Sequence, residues 1–128
     1  MARDAVTSDG LSALDLPFSM AVHGGGLLFF SGQVATDPAT GGLIDGDIAR
    51  QTEQVLRNLA AALAAAGKDL GDVVRVGVYL TDMSQFAAMN EVYSKHFTRP
   101  YPARTAIGVA ALPLGAAVEM DAVVGSAA

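Results

Sequence analysis

Between residues 48 and 80 the hydrophobic spacing changes period, and no other feature of the chain constrains the fold as strongly. Ile48, Thr52, Val55, Leu59 and Leu63 recur at alternating steps of four and three, which places them on one face of a helix. Gly67 stands where a left-handed residue ends such a helix. Val73 to Leu80 then alternates with period two. Val74, Val76, Val78 and Leu80 are expected on one side of a strand, with Arg75, Gly77 and Tyr79 on the other. A striped helix next to such a strand points to helices packed on a sheet.

The rest of the chain fits that plan. Phe18 to His23 and Leu27 to Ser31 are short apolar runs around Gly24, Gly25 and Gly26, which reads as two strands joined by a glycine turn. A phosphate cradle would need a helix after the glycines, and Leu27-Leu28-Phe29-Phe30 is strand-like. Asp37 to Gly42 is a loop, and Asp45 or Asp47 caps the first helix. Asp82 followed by Gln85 predicts a capping box for a second helix with the stripe Phe86, Met89, Tyr93 and Phe97. Pro100 and Pro102 end it, Arg104 to Val109 is strand-like, and Leu112 to Gly115 is a turn. In the last strand Val118, Met120, Ala122 and Val124 share one face, with Glu119 and Asp121 on the other. The order is strand, strand, helix, strand, helix, strand, strand. It predicts one α+β domain over residues 1–128, a mixed sheet with two helices on one face.

Composition narrows the function. With no cysteine, a disulfide scaffold, a thiolate nucleophile and an iron–sulfur site are excluded. His23 and His96 are not at ligand spacing, so no metal is expected. Lys and Arg number 8 against 13 Asp and Glu, a net charge of −5 that argues against a nucleic-acid partner. The opening residues Met1 to Gly10 lack the apolar core of a secretory signal, and no apolar run approaches the ~20 residues that span a bilayer. The chain is expected to be soluble and cytoplasmic. Hydrophobic residues reach 52%, so a neighbouring subunit is the expected cover for the second sheet face.

Three positions carry candidate chemistry. Ser31 sits in Phe29-Phe30-Ser31-Gly32-Gln33, without the Gly-x-Ser-x-Gly of a nucleophile elbow, and reads as a strand-end residue bonded locally. Arg104 follows Pro100 and Pro102, which hold its approach extended; it reads as a carboxylate grip or as a surface ion pair. Glu119, with Asp121 on the same face, reads either as an acid–base group at a cleft or as a solvent-facing side chain.

In this order, Ser31-Gly32-Gln33, Phe86-Ala87-Ala88-Met89-Asn90-Glu91-Val92-Tyr93, Pro102-Ala103-Arg104-Thr105, Leu112-Pro113 and Val118-Glu119-Met120 resemble the YjgF/RidA family, also called endoribonuclease L-PSP. The resemblance runs from Phe18 to Val124. It implies a chorismate-mutase-like fold, a homotrimer with pockets between subunits, and cofactor-free hydrolysis of reactive enamines and imines such as 2-aminoacrylate to 2-keto acids and ammonia. By the same resemblance Arg104 binds the substrate carboxylate, Glu119 orients the attacking water, and Ser31 and Asn90 line the pocket. Many deaminating members have tyrosine where this chain has Phe18 and cysteine where it has Ala106. That cysteine acts mainly through its backbone, which alanine preserves. A lost hydrogen bond to a charged group costs ~1.5–3 kcal/mol, or about one to two decades in rate, so Phe18 implies weaker turnover or another substrate. A specialised catabolic or biosynthetic substrate, or a trimer that binds a small acid without converting it, are the alternatives. The ribonuclease activity attributed to the family sits poorly with the acidic charge and few aromatics.

Overall fold

The stripe from Ile48 folds as helix α1 (Ile48–Ala65) in a computed structural model that describes residues 2–6 and 16–125. Met1 and residues 7–10 of the opening stretch lie outside the described residues. Asp47, not Asp45, is the cap, its carboxylate accepting the Arg50 N–H at 3.0 Å. Gly67 adopts φ 75°, the left-handed geometry expected of a helix stop. Ile48, Thr52, Val55, Leu59 and Leu63 are all buried.

The strands are β1 (Asp4–Ala5), β2 (Ala21–Gly24), β3 (Leu27–Gln33), β4 (Val73–Leu80), β5 (Ala103–Gly108) and β6 (Val118–Gly125). They form one sheet in the order β1-β2-β3-β6-β4-β5. Only β4 and β5 are parallel, and the second helix, α2 (Phe86–His96), makes the crossover between them. Gly25 and Gly26, at φ 60° and 78°, turn the chain from β2 to β3, confirming the hairpin. β6, the last strand made, lies between β3 and β4. Its Val118, Met120, Ala122 and Val124 meet Val76, Val78, Leu80 and the α1 stripe in one core, while Met89, Tyr93 and Phe97 bring α2 onto it. His96 ties the helices together, its Nε2 2.8 Å from Glu53 Oε1 on α1. Among the described residues no helix is long and apolar enough to cross a membrane.

The structure corrects four local readings. Val74 is not on the core face. It is 48% exposed and Val73 is buried in its place, because β4 slips against β6 between Val73 and Arg75. The first predicted strand starts at Ala21 rather than Phe18, and Phe18 lies outside the sheet. Asp82 caps a short 3₁₀ turn, Met83–Gln85, by accepting from the Ser84 N–H and hydroxyl, and α2 begins after it. A reciprocal capping box occurs instead at Asp69 and Asp72. Finally, β1 adds an unpredicted edge strand; two residues are too few for a periodic signal.

Candidate active site

Register decides which side of the sheet each candidate occupies. Arg104 pairs with Val76, a core-facing residue of β4, so its side chain lies on the helix side. There its Nη1 donates to Asn90 Oδ1 of α2 at 2.7 Å. The guanidinium carbon stands 4.8 Å from the Tyr93 ring centroid and 5.4 Å from that of Phe86. Arg104 forms no salt bridge among the described residues. It borders a cavity of about 460 Å³ with Asn90, Tyr93, Ser94, Tyr101 and Pro102. One amide holds the arginine and aromatic rings flank it. The remaining N–H donors are left for a planar anion. Ala106, paired with Val78, packs on the same side at the edge of the core.

Glu119 lies on the other side, opposite Tyr79 of β4. The β3–β6 register shifts between Phe30 and Gln33, and the Glu119 carboxylate rests on Gly32 within that irregularity. A Cβ at residue 32 would stand 2.9 Å from Glu119 Cδ, so only glycine leaves the carboxylate its place. Burial pushes the Glu119 carboxyl above its ordinary range, and the charge of Asp121 adds to the effect. Asp121 accepts the Tyr79 hydroxyl at 2.8 Å and the Gly77 N–H at 3.1 Å, with Arg75 Nη1 at 3.9 Å. The hydrogen bond to Asp121, followed by burial, raises the Tyr79 phenol. Neither acid simply projects into solvent, since both are half-buried.

The Ser31 hydroxyl donates to the Ser19 carbonyl at 2.6 Å, the local bond expected of it. Ser31 and Phe18 share a groove of about 600 Å³ with Val22 and Phe29. The candidates therefore fall into two sets. Arg104, Asn90 and Ala106 belong to the helix side, while Glu119 belongs to the open face beside Ser31. Sequence reasoning missed Tyr93 as a neighbour of Arg104, because an aromatic in a helical stripe reads as core. It also missed the tie between Tyr79 and Asp121, for which Gly77 inside a β-branched strand was the available signal.

The chain matches the endoribonuclease L-PSP family over residues 11–125. It is 46% identical over 125 residues to Protein DfrA of Myxococcus xanthus, covering 96% of this chain and 95% of that one. Mouse 2-iminobutanoate/2-iminopropanoate deaminase is 43% identical over 121 residues, with 94% and 90% covered. Among solved structures, RidA from an Antarctic Psychrobacter superposes with a TM-score of 0.86 at 42% identity, covering 95% of this chain and 98% of that one. E. coli TdcF with bound serine superposes with a TM-score of 0.84 at 30% identity, covering 97% and 99%. The fold of two helices on a mixed sheet thus meets relatives along nearly its whole length, and the chain belongs to the endoribonuclease L-PSP (YjgF/RidA) family, which includes imine deaminases.

Proposed function

We propose that the chain hydrolyses small carboxylate-bearing imines and enamines to 2-keto acids and ammonia, with Arg104 binding the carboxylate and Glu119 directing the water. The observation that carries this reading is an arginine held by Asn90 and two aromatic rings at a cavity, with no acid of its own among the described residues. Such a group is preorganised for a carboxylate through paired hydrogen bonds. The reaction asks for little else. An enamine takes a proton on carbon to become the imine. Water then adds its oxygen to the imine carbon while a proton reaches nitrogen. The hydroxyl proton then passes to the amino nitrogen as the carbon–nitrogen bond breaks, so ammonia leaves and the carbonyl of the keto acid forms. Glu119, with its raised proton affinity, suits the acceptor and donor roles in these transfers.

Because Arg104 and Glu119 stand on opposite sides of the sheet, one chain does not present both to a small substrate. The reading therefore calls on a second chain, and takes from the family resemblance a homotrimer in which one subunit supplies Arg104 and its neighbour supplies Glu119. The apolar Phe18, Val22 and Phe29 of the groove beside Ser31 favour substrates larger than 2-aminoacrylate as a second choice. The test couples a dehydratase acting on serine or threonine to this protein and follows keto-acid release, with semicarbazide as the trap. Faster release that disappears in Arg104→Ala supports the reading; acceleration that survives the substitution contradicts it.

A further inference from the structure

Two carboxylates on the open face are held in opposite ways. Glu119 and Asp121 are two residues apart on β6 and project to the same side, each lying over a glycine of a flanking strand. A Cβ at Gly77 would stand 2.8 Å from the Tyr79 hydroxyl and 3.2 Å from Asp121 Cγ, so the missing side chain makes room for that pair. Asp121 is clamped there by the phenol, a backbone N–H and the nearby Arg75. Glu119 accepts no hydrogen bond among the described residues.

We propose that Asp121 is a positioning residue for Glu119: clamped over Gly77 by Tyr79, it sets a fixed negative charge beside the free carboxylate on the same strand face. Burial opposes the loss of a proton from Glu119, and the like charge of Asp121 on the same strand face adds to it. A base whose proton affinity approaches the working pH transfers protons more effectively. The other groups facing Glu119 do not supply this charge. From β3 it meets Gly32, flanked by Ser31 and Gln33, none of which titrates. From β4 it meets Tyr79, whose proton is committed to Asp121, while Arg75 lies toward Asp121 with its side chain 43% exposed.

The reaction in which Glu119 serves rests on the deaminase reading, but the arrangement does not. The experiment therefore has two readouts: kcat/KM against pH for keto-acid release, and an NMR titration of the Glu119 carboxyl carbon, assigned with Glu119→Gln. Asp121→Asn keeps an acceptor for Tyr79 and Gly77 while removing the charge, and Asp121→Ser serves as a second neutral variant should the first not fold. Removing the charge is expected to move both the acid limb and the NMR midpoint to lower pH. The same change lowers kcat by about two- to fivefold, as a weaker base should, with KM little changed. Lower activity with neither the limb nor the midpoint moved would reduce Asp121 to a structural residue and overturn the proposal. If the parent protein releases no keto acid, the deaminase reading fails and the NMR midpoint alone decides: a downward move supports the positioning role, and an unmoved one overturns it.

Discussion

The two faces of the sheet use alternating residues of the same strands for different ends. On the helix side, the inward residues of β3, β4 and β6 and the stripes of both helices close into a core in which Leu59, Val76, Leu80, Met120 and others are fully buried. On the open side Phe29, Val74 and Ile107 are 42%, 48% and 46% exposed, and between such residues lie Glu119, Asp121, Tyr79 and Arg75. The first face consumes its apolar surface within one chain. The second retains apolar surface and half-buried carboxylates. The core lies on one side of the sheet, and the proposed chemistry draws on the other side together with Arg104, at the margin of the helix side.

The sharpest way to break this contrast is to damage one face and look for an effect on the other. Leu59→Ala removes a fully buried side chain beneath α1 and should cost about 2–5 kcal/mol in denaturant unfolding. Val74→Thr on the exposed bulge should stay within about 0.5 kcal/mol. Comparable losses at both positions would erase the distinction. Gly32→Ala tests the open face as a site. Its methyl group displaces the Glu119 carboxylate, so keto-acid release should fall by at least about tenfold. The melting temperature should drop only a few degrees, for a loss of about 1 kcal/mol. Wild-type turnover in that variant would mean that the position of Glu119 does not matter.

A small, pH-dependent effect is expected on the helix side. The hydrogen bond with His96, and then that with Arg57, holds the Glu53 carboxyl below its usual range despite some burial. A carboxylate whose folded-state value is depressed contributes stability above its unfolded value and loses that contribution as pH falls through the folded one. The Glu53 side chain is 38% exposed, so solvent screening limits the contribution to under about 1 kcal/mol. Unfolding midpoints measured between about pH 6 and pH 3 should therefore fall less steeply for Glu53→Gln than for the parent. Parallel slopes would remove the bridge between α1 and α2 from the account of acid stability.

Much of the helix side was legible in the sequence, because periodicity reports which residues share a face. The stripes of α1 and α2, the alternation in β6 and the glycine turn between β2 and β3 all report local geometry. What escaped depends on how strands meet. The slip that exposes Val74 belongs to the pairing of β4 with β6 and leaves no mark on the alternation of valines. Likewise the side of the sheet that Arg104 and Glu119 each occupy came only from register, since facing is defined only once the neighbouring strand is known. The glycine places under Glu119 and Asp121 are contacts between strands distant in sequence. Gly77 was visible only as a break in an apolar run, and Gly32 only as a member of the Ser31-Gly32-Gln33 motif.

The claim that a complete site needs two chains is tested most directly by complementation. Arg104→Ala and Glu119→Gln are each expected to be inactive in keto-acid release. Co-refolded into mixed oligomers, they should recover activity, because a Glu119→Gln subunit still offers Arg104 to a neighbour that still offers Glu119. With random assembly about a quarter of the interfaces of a closed ring carry both intact residues, and activity should return to about that fraction of the parent's. Mixed oligomers verified by mass that remain as inactive as the single variants would contradict the account.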